Sequence, residues 1–207
     1  TTKPIIYDGH TGGVADHFTK LVRTLERLGV SAVIVGDRKG PKHHSMNMTD
    51  GDQAQLERGA MVAKINAGKK AQVTDDFMIV ARVESLVAGA GVDDAIIRVQ
   101  AYIEAGADGI LIHGREHYGQ EIFEFCKGYR QLARRVPLIG APASHNHLSE
   151  KELKELGFSV VIYADHLLCS AYPAMVEAAE TILKNRWSQE SNARFMSVRD
   201  IISLIPD

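Results

Sequence analysis

Two cysteines and one tryptophan are all that 207 residues contain of the two rarest side chains. Cys126 and Cys169 both fall in helical patterns, and their separation matches no paired-cysteine metal spacing. A disulfide scaffold and a cysteine zinc site are therefore not expected, and a reducing, cytoplasmic setting is. No apolar run approaches the roughly 18 residues of a membrane span, and no stretch reads as a secretory signal. Neither sign of charge dominates: 24 Lys and Arg stand against 26 Asp and Glu, for a net charge of -2. Without a long basic run the chain lacks what phosphate neutralisation needs, so nucleic acid is not an expected partner. The pairs Lys69–Lys70 and Arg134–Arg135 read as solvated helix ends. Also missing are a G-x-G-x-x-G after a strand, which removes support for a dinucleotide site, and a G-x-S-x-G nucleophile elbow.

What is present alternates. Six short, β-rich apolar runs recur: PIIYDG, SAVIVGD, FMIVARVES, ADGILIHG, PLIGAPAS and FSVVIYADH. They are nearly continuous in hydrophobicity rather than strictly alternating, as strands covered on both faces are. Amphipathic segments separate them. Phe18, Leu21, Val22, Leu25 and Leu28 share one helical face over 16–28, with Gly29 as a stop. Val92, Ile96, Val99 and Ile103 do the same over 92–105, with Asp93 and Asp94 at the dipole-favoured first turn and Gly106 after it. Further helices fit 51–72, 118–133, 149–156, 167–186 and 197–204. The order is βα repeated six times, which is α/β architecture. An open doubly wound sheet and a (β/α)8 barrel with six of its eight units both fit. The stretch 188–207 reads as a helical tail on a domain spanning 1–187.

Every one of these strands ends in chemistry. Asp8 closes the first, Asp37 and Arg38 the second, Arg82 and Glu84 the third, His113 the fourth, Ser144 and His145 the fifth, Asp165 and His166 the sixth. The carboxyl ends of strands are where α/β folds build active sites. A single such residue is an ordinary cap or turn, but the set points to a shared site. Asp8, Asp37 and Glu84 are hard oxygen ligands suited to Mg²⁺, directly or through water. Arg82 and Lys42 suit carboxylate or phosphoryl oxygens, and His113 can donate to a developing oxyanion. A metal with cations facing a cleft suits a small anionic substrate. The HNH run at His145–His147 has metal-clip spacing but no partners in its polar loop.

The motifs DGHTGG, GDRKGPKHHS, VARVESL, AGADGILIHG and VVIYADHLL, followed by AYPAM and SVRDIISLIP, resemble in order and spacing the phosphoenolpyruvate mutase branch of the isocitrate lyase superfamily. The resemblance covers nearly the whole chain. It implies a Mg²⁺-dependent (β/α)8 TIM-type barrel whose eighth helix is exchanged between subunits, giving dimers or tetramers. It implies metal ligation by Asp8, with Asp37 in the acidic metal-shell motif; Asp37 and Glu84 are then expected to hold the metal's waters. Arg82, His113 and His44 fall on substrate-binding positions and Lys42 on the lysine of a gating loop. That loop lacks the cysteine of the lyase branch, which argues against isocitrate-type cleavage. Departures are Gly36 and Arg38 in place of Glu and Lys, His44 in place of Asn, Gly114 in place of Ser, Asp165 in place of Asn and Cys169 in place of Arg.

Asp8 aligns with the family's third strand, so an N-terminally incomplete sequence is expected, with a degenerate paralogue or one completed by a partner as alternatives. The function implied is the interconversion of phosphoenolpyruvate and phosphonopyruvate. Phosphonopyruvate hydrolysis, other 2-keto-acid chemistry, and a catalytically silent homologue are the competing expectations.

Overall fold

The computed structural model describes residues 3–39, 54–114, 120–141, 148–188 and 196–204. The element order is β1 (Ile6–Asp8), α1 (Ala15–Arg27), β2 (Ala32–Gly36), α2 (Arg58–Ala71), β3 (Met78–Val83), α3 (Gly91–Glu104), β4 (Gly109–Ile112), α4 (Gln120–Arg130), β5 (Leu138–Gly140), α5 (Glu150–Glu155), β6 (Phe158–Val161), α6 (His166–Asn185) and α7 (Val198–Ser203). All six strands are parallel, and each lies beside its sequence neighbour from β1 through β6. A doubly wound sheet reverses its order at a switch point, whereas a βα barrel does not. The unbroken order decides between the two arrangements that the sequence allows: the sheet is of barrel type. Among the described residues it has six of the eight strands that a closed barrel needs.

Alternation of side chains divides the strands into two sets. Val33, Val35, Ile79, Ala81, Val83, Ile110, Ile112 and Leu138 pack with Phe18, Val22, Met61, Ile65, Val99, Tyr102 and Phe125 from the helices. Ile34, Val80, Leu111 and Ile139 form a second cluster on the opposite face. With apolar residues used on both faces, β2 to β5 read as continuous hydrophobic runs. β1 differs: Ile6 and Tyr7 are each more than two-fifths exposed.

Helix α1 buries Phe18, Val22 and Leu25 as its periodicity predicts, while Leu28 falls at the C-cap and is exposed. Helix α3 buries Ala95, Val99, Tyr102 and Ile103, so its buried stripe runs partly through residues other than the predicted Val92 and Ile96. Helix α2 starts at Arg58 rather than at 51. The chain returning to it pairs antiparallel with the chain leaving β2: Lys39 N–H donates to the Ala54 carbonyl and Leu56 N–H to that of Asp37 (both 2.8 Å). Backbone groups committed to that pairing are not available to start a helix.

Helix α2 approaches the sheet at Gly68, where an added Cβ would lie 2.5 Å from Phe18 Cε1 and 2.8 Å from Ile79 Cδ1. Overpacking of this kind costs about 1–3 kcal/mol, more than the intrinsic helix gain of alanine over glycine. Gly68→Ala is therefore expected to destabilise the fold, and urea unfolding with an unchanged or raised midpoint would refute that.

Two compact units are present, Thr1–Tyr163 and Ala164–Asp207. The division falls ahead of α6. None of the α6 side chains is buried. No described helix is long and apolar enough to cross a membrane.

Candidate active site

Strand pairing places the chemistry-bearing residues. Asp8 is in register with Ile34, Gly36 with Arg82, and Arg82 with Leu111. By alternation Asp8, Arg82, Glu84 and His113 all belong to the face opposite the helices. Their side chains form a continuous chain of contacts. Arg82 Nη1 lies 3.2 Å from both oxygens of Asp8. Arg82 Nε donates to Glu84 Oε1 at 2.8 Å, and Glu84 Oε2 meets His113 Nδ1 at 2.8 Å. Gly36 permits this: a Cβ there would sit 3.1 Å from Arg82 Nη2 and 3.2 Å from Nε. The guanidinium lies across a strand end with no side chain.

Glu84 is buried and Asp8 about half-exposed. Burial works against the charge on Glu84. The His113 hydrogen bond and the cations Arg82 and Arg38 outweigh it and hold the carboxyl below its ordinary pKa. Both Glu84 oxygens are engaged and buried, so it anchors Arg82 and His113, while Asp8, though it also meets Arg82 and the His10 N–H, reaches solvent. Among the described residues no three His, Cys, Asp or Glu side chains are grouped as a metal-holding set. One half-exposed carboxylate with water still fits Mg²⁺, which keeps several waters and commonly uses only one or two carboxylates.

Asp37 is not brought to this group. Two residues beyond Val35, it shares the helix-facing parity, and it is fully buried. Its Oδ1 accepts the Glu84 N–H (2.9 Å), and its Oδ2 accepts from Tyr102 Oη (2.7 Å), Gln55 Nε2 (3.0 Å) and Arg98 Nη1 (3.3 Å). Each of these partners is a protein donor, so the carboxylate expected to serve a metal directly or through water is tied here to Glu84, Tyr102, Gln55 and Arg98. Gln55, Arg98 and Tyr102 were not foreseen from sequence. The α3 spacing of Asp94, Arg98 and Tyr102, four residues apart, was the available signal.

Burial raises the Asp37 pKa to about 6, against the lowering effect of the Tyr102 and Glu84 hydrogen bonds and of Arg98. A carboxyl whose folded pKa is raised stabilises the fold at low pH and loses that contribution as pH rises through the folded value. Glu84 has the opposite sign, losing its contribution only as pH falls below about 4.5. From about pH 4.5 to about pH 7, Asp37 should therefore lower the unfolding free energy by about 2 kcal/mol. Asp37→Asn should lack this slope, and equal slopes for the two proteins in urea titrations would contradict the assignment.

Two further residues shape the loop after β1. His10 has a left-handed backbone (φ 55°) and its N–H donates to Asp8 Oδ1 at 2.9 Å, fixing that carboxylate. Buried Lys64 of α2 donates to the Thr11 carbonyl at 2.6 Å, and burial lowers its pKa. Lys42, His44, Ser144 and His145 lie outside the described residues. Asp165 and Cys169 belong to the second unit, where Asp165 is the N-cap of α6 and Cys169 is exposed.

The sequence model described as phosphoenolpyruvate phosphomutase matches residues 1–183. A phosphonopyruvate hydrolase of Variovorax sp. (strain Pal2) is 37% identical over 206 residues, covering 99% of this chain and 70% of the relative. A crystal structure of phosphoenolpyruvate phosphomutase from Streptomyces platensis subsp. rosaceus superposes with a TM-score of 0.92 at 31% identity, over 99% of this chain and 70% of that one. A phosphonopyruvate hydrolase in complex with oxalate and Mg²⁺ gives a TM-score of 0.88 at 34% identity, over 99% and 69%. With a family match across most of the chain and two differently acting relatives at similar identity, the chain belongs to the phosphoenolpyruvate phosphomutase family.

Proposed function

We propose that this protein is a Mg²⁺-dependent enzyme of phosphonopyruvate, acting as a phosphoenolpyruvate mutase. The observation that carries the reading is the Asp8–Arg82–Glu84–His113 chain at adjacent strand ends. It presents one half-exposed carboxylate beside a guanidinium and an imidazole. Mg²⁺ bound at Asp8 would polarise the carboxylate and keto oxygens of a 2-keto acid.

The chain's own residues do the positioning. Arg82 is held by Glu84 through Nε, which leaves Nη2 to meet a substrate anion. Glu84 takes His113 by Nδ1 and so turns Nε2 toward the ligand. In the mutase reaction the C–P bond of phosphonopyruvate breaks, and the phosphoryl group is captured by the oxygen of the resulting enolate. Substrate and product are isomers, so no co-reactant is consumed. Catalysis then rests on orientation and charge rather than on a strong base. Lys42 and His44 keep the substrate-facing roles that the family resemblance assigns them. Assembly through the C-terminal helix belongs to the same reading.

Hydrolysis is the second reading, favoured by the 37% identity to a phosphonopyruvate hydrolase. The two differ in whether water reaches the phosphoryl group. Phosphorus NMR of the chain with phosphonopyruvate and Mg²⁺ separates them. Phosphoenolpyruvate as product supports the mutase, free phosphate replaces it with the hydrolase, and an unchanged spectrum refutes catalysis by this chain.

A further inference from the structure

Behind the strand ends lies a polar ring that the reaction does not use directly. Asp37 Oδ2 accepts from Gln55 Nε2, which also donates to Ser85 Oγ at 3.0 Å. Ser85 Oγ–H donates to Asp94 Oδ2 at 2.7 Å, and Arg98 Nε to the same oxygen at 2.8 Å. Arg98 Nη1 closes the ring on Asp37, directly at 3.3 Å and through Tyr102 Oη at 3.2 Å. Four pieces of chain meet here: the end of β2, the 54–57 return, the end of β3 and helix α3.

Asp37 also clasps β3 at two points. Its N–H donates to the Arg82 carbonyl at 3.1 Å, and its Oδ1 accepts the Glu84 N–H at 2.9 Å. The stretch it spans projects Arg82 and Glu84 to the opposite face, where Glu84 in turn holds His113. Side chains anchored this way are oriented only as well as the backbone beneath them.

We propose that Tyr102 and Arg98, acting through Asp37, are positioning residues for Arg82, Glu84 and His113. The hydroxyl of Tyr102 makes the shortest contact to Asp37, so its removal lets the carboxylate turn and loosens the Glu84 N–H. Only the roles of Arg82 and His113 toward substrate rest on the function proposed above; the clasp itself does not.

The test uses the full chain with Tyr102→Phe and Arg98→Lys, and Ile103→Val as a control on the same helix. Amide exchange followed by NMR is expected to quicken about tenfold or more at Glu84 relative to Val80 in the first two variants. The His113 ring nitrogen resonances should shift with it, and oxalate affinity in the presence of Mg²⁺ should fall about tenfold. Ile103→Val should change none of these selectively. If Tyr102→Phe and Arg98→Lys leave Glu84 exchange and the His113 resonances unchanged, or if the control moves them equally, the proposal is overturned. Failure of the unaltered protein to bind oxalate would count against the proposed function, while exchange and ring resonances would still decide the clasp.

Discussion

Replacing Asp37 with alanine is expected to cost about 3–5 kcal/mol of stability, the usual cost of removing one partner from a buried ion pair. The carboxylate is fully buried and accepts four hydrogen bonds. Its loss strands the Glu84 N–H, the Tyr102 hydroxyl and one Gln55 amide hydrogen in the interior, each with a desolvation cost of about 1–3 kcal/mol. Arg98 keeps Asp94 and the Leu56 carbonyl, which limits the damage on that side. Against a typical total of about 5–15 kcal/mol the variant should unfold at much lower urea. A loss below about 1 kcal/mol would mean that the ring is a solvent-tolerant surface feature.

Asp8→Ala should act in the opposite way, on function and not on fold. Asp8 is half-exposed and sits on the edge strand β1, and its pairing with Arg82 is long at 3.2 Å. Losing such a contact costs at most about 1 kcal/mol. Arg82 retains Glu84, so no buried charge is left unpaired. Yet Asp8 is the solvent-exposed carboxylate of the Asp8–Arg82–Glu84–His113 chain, whereas Glu84 is buried. If it carries Mg²⁺, the variant should lose calorimetric Mg²⁺ binding. Turnover should fall about a thousandfold or more, corresponding to several kcal/mol of metal-supplied stabilisation. Unchanged Mg²⁺ affinity would remove Asp8 from the metal site and shift attention to residues outside the described set.

The contrast between these two aspartates shows where strand-end reading succeeds and where it stops. Both follow a hydrophobic run and both are acidic, so sequence position treats them alike. Strand parity separates them. Asp8 pairs with Ile34 of the second cluster, whereas Asp37 continues the Val33, Val35 series that packs on the helices. One residue of register separates an exposed strand-end carboxylate from a fully buried one. Alternation is hard to see in a sequence where both faces of the strand are apolar, which is why Val33, Ile34 and Val35 carry no visible pattern.

The ring around Asp37 was illegible for another reason. Gln55, Ser85, Asp94 and Arg98 are polar residues of ordinary loop and helix character, up to 43 positions apart in the chain between Gln55 and Arg98. Only the crossing of α3 over the ends of β2 and β3 makes them neighbours. Composition and pattern by themselves determined the α/β class, the six strands and their order of helices, because periodicity follows from local backbone geometry. They also singled out Asp8, Arg82, Glu84 and His113, because strand ends carry chemistry wherever strands run parallel. Which strand lies beside which, which aspartate is buried against the helices, and which tyrosine bonds it there were decided by tertiary structure. Those depend on register and on the packing of one helix against the sheet, and neither is written in any local stretch of residues.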